Sequence, residues 1–270
     1  MRRQTYILVF YALLTLIPSF LHAQEEANLA FDQQDQPKKL VLDIYKGDIT
    51  IIGTDRQDVW IRYDVQEEQA FHEAEMEDRS KGLTKVSSGT INIEMASEDN
   101  VVEIKVDGNS KKIDLEIEVP RDIDIEIDVD FSADVDISDI TGNLNIELSA
   151  GDIKVQQLSG LINASTAEGN ITIDWQQVPA PKSMLITTTY GDIDLSFPPQ
   201  YKTLLRLKAD KGDIYADFDV KFIETSEKPQ AEDDKFQYRD SRWQHAKLNG
   251  GENPEISIKT KLGSIYLRQK

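Results

Sequence analysis

Residues 142–175 decide the fold and read GNLNIELSAGDIKVQQLSGLINASTAEGNITIDW. Within this stretch a glycine recurs every nine residues, at positions 142, 151, 160 and 169. Apolar residues stand at the second and fourth positions after each glycine, as in Ile153 and Val155 after Gly151. Side chains two residues apart lie on the same side of a β-strand. The alternation therefore predicts short strands, each with one buried face.

The same unit recurs outside this stretch, beginning at Gly47, Gly89, Gly191, Gly212 and Gly263. Glycine adopts backbone angles that other residues avoid, which suits a tight corner. An Asp or Asn beside the corner can hydrogen-bond the backbone of the turn. We therefore interpret each copy as a corner followed by a half-buried strand. On this interpretation the corner aspartates cap turns and are not ligands; they are Asp48, Asp152, Asp192 and Asp213.

The spacing of the glycines favours a coiled architecture. Nine residues hold one strand and a corner, and about 18 to 22 residues complete a coil of two or three strands. The glycines at 169, 191 and 212 have such a spacing. We predict an all-β fold, a single-stranded parallel β-helix or β-solenoid with Gly-Asp and Gly-Asn corner repeats. A barrel or sandwich is the alternative, but it should show hairpin turns instead of one repeated corner.

These motifs resemble the bacterial putative adhesin family, whose β-helical domains have largely unassigned function. The resemblance rests on the glycine corners, on a strand that ends at Val119-Pro120, and on two C-terminal stretches, residues 249–256 and 260–267. It covers about residues 38 to 270. It implies a right-handed parallel β-helix or β-roll-like fold and a location in the cell envelope or at the surface.

The N-terminus has the features of a secretory signal peptide over residues 1–23. Arg2 and Arg3 precede an apolar run from Tyr6 to Ile17, and Ala23 offers a cleavage site. The run is shorter than the roughly 20 apolar residues that span a bilayer, and no other stretch is longer. We therefore expect an exported chain without a transmembrane segment after cleavage, located in the periplasm, at the outer cell surface or outside the cell.

The rest of the chain divides by composition. Residues 24–37 are polar and are expected to be a flexible leader, and residues 38–270 are expected to form the solenoid domain. Residues 66–82 lack β alternation and predict a short helix or an exposed loop. Residues 225–254 also lack the repeat, and we interpret them as an excursion or cap. The final Gly263 copy is predicted to cover the open end of the solenoid.

Charge and cysteine content exclude several classes. The net charge is −19, and removal of residues 1–23 takes away two arginines and makes it −21. Nucleic acids and anionic membranes are poor partners for such a chain. Electrostatic partners are expected to be cationic or bridged by cations. The absence of cysteine excludes disulfides, thiolate metal sites and a catalytic cysteine.

The most acidic stretch runs from Ile113 to Ile140, where Ile and Val alternate with Asp and Glu. One interpretation is a surface that binds Ca²⁺ weakly, since calcium prefers clustered carboxylates. The other, which we favour, is a solvated acidic face that keeps the strands soluble. Binding of calcium at the corners is not expected, because each corner lacks the Gly-Gly-x-Gly-x-Asp sequence of calcium-binding β-rolls.

Catalytic motifs are scarce. The signal-cleaved chain keeps only His72 and His245, which lie far apart in the sequence. A glycoside hydrolase needs two carboxyl groups with different pKa values, and Asp192 and Asp213 are the candidates. Their repeated corner context points instead to a structural role. We predict no enzyme, no cofactor and no metal site.

The three tryptophans are given separate roles. Trp175 is at the inward phase of its repeat, Trp60 is at the opposite phase from its apolar neighbours, and Trp243 lies in the excursion, where it is expected to help cover the open end.

The sequence thus predicts an exported, adhesin-like binding or structural protein with a protein or glycan partner. An accessory factor in envelope sensing or assembly and a polysaccharide-acting enzyme remain alternatives.

Overall fold

The structure is a computed structural model that describes residues 25–66, 92–107, 111–178, 183–218, 220–223, 243–251 and 255–270. These ranges contain strands and no helix, and so no helix that could span a membrane. The strands are β1 (Glu25–Ala30), β2 (Lys39–Lys46), β3 (Ile49–Thr54), β4 (Asp58–Gln66), β5 (Asn92–Glu98), β6 (Val101–Asp107), β7 (Lys112–Pro120), β8 (Asp124–Ser132), β9 (Val135–Ser138), β10 (Leu144–Ala150), β11 (Ile153–Leu158), β12 (Ile162–Glu168), β13 (Ile171–Trp175), β14 (Met184–Tyr190), β15 (Ile193–Phe197), β16 (Thr203–Ala209), β17 (Ile214–Ala216), β18 (Val220–Ile223), β19 (Gln244–Leu248), β20 (Glu255–Leu262) and β21 (Ile265–Gln269).

The strands form two large, mostly parallel sheets. The first sheet has the order β1-β4-β7-β3-β9-β11-β13-β15-β21-β17, and the second has the order β18-β19-β16-β20-β14-β12-β10-β8-β2-β6-β5. From β8 to β17 the chain alternates between the second and the first sheet. The antiparallel pairs lie towards the ends of the sheets. The all-β prediction is confirmed.

Each turn of the chain contributes one strand to each sheet. Leu144 pairs with Ile162, 18 residues later, and Ala164 pairs with Ile186, 22 residues later. These intervals match the spacing of the corner glycines. A coil therefore contains two strands, and successive coils are stacked about 4.8 Å apart.

The C-terminal coil does not cover the end of the stack. β20 lies between β14 and β16, and β21 lies between β15 and β17. The prediction that the last strand is a cap is therefore wrong, because both edges of this coil are paired. We call β20 and β21 the inserted coil. The free edge of β16 is paired instead with β19, a strand inside the predicted excursion.

Residues 25–30, expected to belong to a flexible leader, form β1. This strand pairs antiparallel with β4, and Phe31 after it is buried in the core. The polar composition of residues 24–37 did not indicate this strand, because an edge strand can have a polar sequence and still satisfy its backbone hydrogen bonds. The signal peptide, most of the 66–82 segment and residues 225–242 and 252–254 of the excursion lie outside the described residues.

The core lies between the two sheets and consists of the alternating apolar residues. Trp175 and Phe197 are fully buried, with ring centroids 5.1 Å apart, and the indole Nε1 donates to the carbonyl of Gly160 at 3.3 Å. Three of the buried polar residues, Thr166, Thr188 and Thr260, lie on adjacent strands. Each hydroxyl donates to the carbonyl oxygen of a corner glycine at 2.8–3.2 Å, so these polar groups are satisfied.

The corner glycines are needed because neighbouring coils approach closely. At Gly191, which has a φ of 153°, a Cβ atom would lie 2.0 Å from the carbonyl oxygen of Gly169. Gly169 would meet Gly151 in the same way, at 2.0 Å. The glycines of successive coils therefore stack directly on one another.

Candidate functional site: the outer face of the second sheet

The acidic stretch 113–140 does not form one surface. β7 and β9 belong to the first sheet, whereas β8 belongs to the second. The carboxylates of Glu116 and Asp136 therefore lie on one face of the molecule, and those of Glu126 and Asp128 lie on the opposite face. The expectation of one nearly uninterrupted carboxylate face is wrong, because a corner separates each of these strands from the next.

Carboxylates and amides at the corners form a ladder that joins the coils. Asn170 N–H donates to Asp152 Oδ1 at 2.7 Å, Asp192 N–H to Asn170 Oδ1 at 2.9 Å, and Ser264 N–H to Asp192 Oδ1 at 2.7 Å. We call this the Asx ladder. The corner side chains thus bridge neighbouring coils and do not only cap their own turns. The remaining steps involve Asp48, Asp114, Asp134 and Asp213.

The two aspartates considered for glycoside hydrolysis are part of this ladder. Asp192 accepts from the amide of Ser264, and Asp213 accepts from the hydroxyl of Tyr215 at 3.3 Å. They were expected one coil apart, but the inserted coil lies between them. Both carboxylates therefore have structural partners.

Charges on the outer face of the first sheet are paired locally. Lys154 Nζ lies 2.9 Å from Asp136, and Arg268 Nε lies 2.8 Å from Asp194. Arg62 likewise pairs with Glu116. Among the described residues, these cations of the first sheet therefore lie beside acids on neighbouring strands.

The outer face of the second sheet is different, because charges of one sign are grouped over several strands; two cations, Lys39 beside Glu126 and Lys105 beside Asp43, lie among the acids. One row of paired residues crosses seven strands, in the order Asp43, Asp128, Glu147, Ser165, Thr187, Lys259 and Lys208. We call it the central row. From β2 onwards it contains three acids, then two hydroxyl side chains and then two lysines, and on the other side of Asp43 it continues to Lys105 of β6. A charge gradient therefore runs along the stack.

The acidic half of this face consists of Asp43, Glu126, Asp128, Asp130 and Glu147. Partial burial and the neighbouring carboxylates of Glu147 and Asp130 raise the pKa of Asp128. Directly opposed like charges on adjacent strands repel each other, so this half is electrostatically strained.

The opposite end of the face carries cations. Arg206 and Lys208 project from β16, Lys221 from β18, and Lys259 and Lys261 from β20. We call these five residues the basic strip. A groove of about 570 Å³ lies between the two charged regions. Asp128 and Glu147 line one side, the hydroxyls of Ser165 and Thr187 lie between, and Lys259 lines the other side.

Trp243 lies beside the basic strip. The Arg206 guanidinium carbon is 4.0 Å from the centroid of its ring, and Lys208 Nζ is 6.0 Å away. Trp243 thus packs against outward-facing cations. We had expected it to help cover the open end of the core, and this expectation is wrong. Trp175 is buried, as expected, and Trp60 is half-buried with Arg62 over its ring.

Metal and acid-base chemistry find little support in the described ranges. No group of three or more His, Cys, Asp or Glu residues there could hold a metal ion. His245 lies on β19 next to Arg206, and His72 lies outside the described residues. Weak Ca²⁺ binding at the acidic half stays the alternative to the solvated acidic face that we predict.

Sequence reasoning missed the basic strip. A signal was present, since Arg206 and Lys208 share one phase of a strand, as do Lys259 and Lys261. The net charge of −19 drew attention to the acids, and the excursion between these two segments concealed that they would become neighbours.

Comparison with known proteins agrees with this architecture. Residues 131–241, less than half of the chain, match the family described as "Toastrack DUF4097". This segment is therefore similar to the Toastrack family. It includes the strands from β10 to β17 that contain the regular corner repeats. The resemblance to an adhesin-like bacterial family of unassigned function is confirmed.

Two solved structures resemble the Toastrack segment together with most of the remaining chain. A "putative cell adhesion protein" from Clostridium sporogenes has 15% identity and a TM-score of 0.52, covering 92% of this chain and 100% of its own. A "putative adhesin" from Bacteroides fragilis has 12% identity and a TM-score of 0.39, covering 92% and 97%. The first match supports the fold. None of the curated proteins compared with the chain matches it.

Proposed function

We propose that this chain is an exported, non-enzymatic binding protein of the cell envelope or cell surface. The observation that carries the proposal is the segregation of charge along the central row, with a groove between the two charged regions. A protein or glycan partner would bind there. The adhesion-related descriptions of the structural relatives support this class of function.

The proposal extends to the repeating unit of the fold. We infer that residues 38–270 form a single-stranded β-solenoid whose repeating unit is a two-strand coil with Gly-Asp or Gly-Asn corners. The Asx ladder and the close approach of the corner glycines support this description. Such a stack is rigid, since each coil is hydrogen-bonded to its neighbours along its length. A rigid stack presents a fixed outer face to a partner.

A structural role for the corner aspartates supports a non-enzymatic function. Asp192 and Asp213 are occupied by hydrogen bonds that join coils or fix a neighbouring tyrosine. A screen for hydrolysis of polysaccharides should therefore show no turnover. Turnover that disappears in Asp192→Asn or Asp213→Asn would contradict the proposal.

Export and binding can be tested together. Cell fractionation should find the protein outside the cytoplasm and shortened at its N-terminus, and deletion of residues 2–23 should retain it inside. The labelled mature protein, residues 24–270, should bind isolated envelope material. Cytoplasmic retention of the native chain would contradict the export part of the proposal.

Matched charge changes identify the binding face. Glu147→Lys and Lys259→Glu reverse charges on opposite sides of the groove and should weaken binding about tenfold. Thr172→Lys and Thr172→Glu place the same charges at an exposed position of the first sheet and should leave binding unchanged. Equal losses in both pairs would show that net charge matters and the groove does not.

A further inference from the structure

We propose that the basic strip binds an anionic polysaccharide, a sugar chain that carries carboxylate or sulfate groups. This inference rests on the proposed binding function and names the class of partner. It changes the expectation drawn from net charge. A chain with 49 acidic and 30 basic residues predicts cationic partners, but one end of the second sheet is locally basic.

The cations of the basic strip form few ion pairs with carboxylates. Within the part of the chain that the structure describes, no carboxylate lies within ion-pair distance of Arg206, Lys259 or Lys261. Lys208 has a single contact of 3.5 Å with Asp210. On the first sheet, by contrast, Lys154 and Arg268 have close carboxylate partners.

The arrangement also carries an electrostatic cost. Lys208 and Lys259 are directly opposite each other on adjacent parallel strands. Like charges in such pairs destabilise a sheet by a few tenths of a kcal/mol. Nothing in the packing of β16 and β20 requires lysine at these outward positions, since their buried residues are Leu205, Leu207 and Ile258. The repulsion would be relieved by a bound anion.

The guanidinium group of Arg206 is positioned so that it can bind an anion. Its guanidinium lies against the ring of Trp243, which restricts the side chain and leaves the edge of the planar group available. A guanidinium edge donates two parallel hydrogen bonds to a carboxylate or sulfate. The lysines of the strip supply additional point charges along a ligand.

Hydroxyl groups border the strip. Ser257 pairs with Arg206 across the β16–β20 ladder, and Thr187 pairs with Lys259 across the β20–β14 ladder. Both side chains are partly exposed on the outer face; Ser257 Oγ donates to Glu255 at 3.5 Å and Thr187 Oγ1 donates to Ser165 Oγ at 3.3 Å, so each oxygen can still accept a hydrogen bond. Hydroxyls of this kind can donate to and accept from sugar hydroxyls. The combination of cations and hydroxyls suits a charged sugar chain.

The shape of the face favours a narrow polymer over a planar surface. The strip spans β18, β19, β16 and β20, or about 14 Å at the usual strand spacing. Glu255 of β20 and Asp210 after β16 are acids beside the strip, and the acidic half begins at Glu147, three strands beyond β20. An anionic bilayer lying on the face would contact the strip and the acidic half together. A single polysaccharide chain can follow the strip and avoid the acids.

The test is a binding titration of the mature protein, with alginate as the carboxylated probe, heparin as the sulfated probe and neutral dextran as the control. We expect binding to at least one charged probe and none to dextran, with affinity falling as salt rises because ion pairs are screened. Lys259→Gln combined with Lys261→Gln should weaken binding at least tenfold. Arg206→Lys should weaken it less than Arg206→Gln, since charge is kept and the planar edge is lost.

The control is Lys154→Gln, which removes one cation from the first sheet and should leave affinity unchanged. Thermal melting of each variant verifies folding. Failure of the native protein to bind either charged polymer at low salt would overturn the inference, as would binding unaffected by the strip variants. Tighter binding to phosphatidylglycerol vesicles or to duplex DNA would assign the strip to another class of partner.

Failure of this inference is distinguishable from failure of the proposed function. If the protein binds envelope material, and Glu147→Lys abolishes that binding while the strip variants do not, the binding function stands and the polysaccharide assignment falls. If the protein binds no envelope material but binds a charged polysaccharide through the strip, the polysaccharide assignment stands alone.

Discussion

Adding a single methyl group at Gly191 should destabilise the protein strongly. The new Cβ atom would lie 2.0 Å from the carbonyl oxygen of Gly169, whereas ordinary contacts begin at about 3.4 Å. The two coils must therefore separate locally by about 1.4 Å. Both atoms belong to backbone in paired strands, so neither can move away alone.

The cost can be worked out from the bonds at this corner. Thr188 donates to the carbonyl of Gly169 at 2.9 Å, and the amide of Asp192 donates to Asn170 at 2.9 Å. A separation of about 1.4 Å breaks both, at about 1 kcal/mol each. Strain from overpacking adds about 1–3 kcal/mol. We expect Gly191→Ala to lose about 3–5 kcal/mol, and Gly191→Val to lose more.

Three control variants distinguish the effect of close backbone approach from the effects of backbone angle and of a lost carboxylate charge. Gly142→Ala tests close approach without a positive φ, since its Cβ would lie 1.9 Å from the carbonyl oxygen of Ile123. Gly250→Ala tests backbone angle alone, because its φ is 74° and nothing lies within 4 Å; a loss of about 1 kcal/mol is expected. Asp124→Asn keeps the oxygen that accepts from Asn143 and should cost less than about 1 kcal/mol.

Urea unfolding of the mature protein measures these differences. At unchanged m-value, the shift in midpoint gives the change in stability. The expected thermal equivalent for Gly191→Ala is a decrease of about 10 °C in Tm. If Gly191→Ala and Gly250→Ala were equally stable, or if Asp124→Asn were as damaging as Gly191→Val, the account of stacked corners would be refuted.

Three further outcomes are expected. Trp175→Ala should cost about 3–5 kcal/mol in urea unfolding, because it leaves a cavity beside Phe197; a loss below 1 kcal/mol would show that the core can collapse around the gap. Asp128→Asn should increase the free energy of unfolding by about 0.5 kcal/mol near pH 7. The pKa of Asp128 is raised in the folded state, so ionisation of its carboxyl group destabilises that state as the pH rises from the unfolded pKa through the folded pKa. The gain should disappear below about pH 4, as the unfolded carboxyl becomes protonated, and an equal gain at about pH 7 and about pH 3 would be inconsistent with this cause. A few millimolar Ca²⁺ should raise the Tm no more than Mg²⁺ at the same ionic strength, and a larger, chelator-reversible increase with Ca²⁺ would instead establish the calcium-binding interpretation.

The local structure was predictable because it depends on local rules. Alternating residues such as Ile171 and Ile173 lie in the core as their spacing predicts, and the polar residue between them faces outwards. Corner glycines could also be identified, because close approach of backbone leaves no other choice of residue. The two sheets follow from repeating this unit.

The order of the strands was not predictable in the same way. Every coil presents similar edges, so the hydrogen-bonding pattern of β14 accepts β16 or β20 equally well at the level of backbone. The choice depends on packing across the whole stack, including β19 at the edge of β16. For the same reason, the sequence did not indicate that Lys208 and Lys259 would become neighbours.

The inserted coil has a consequence for the order of events during biosynthesis. Residues 203–216 are made before residues 255–269, yet their final partners are in that later segment. The parallel pairing of β16 and β17 therefore cannot be completed until residues 255–269 have been made. Loss of the inserted coil would leave β16 and β17 without their parallel partners and would give β14 and β15 an unpaired edge.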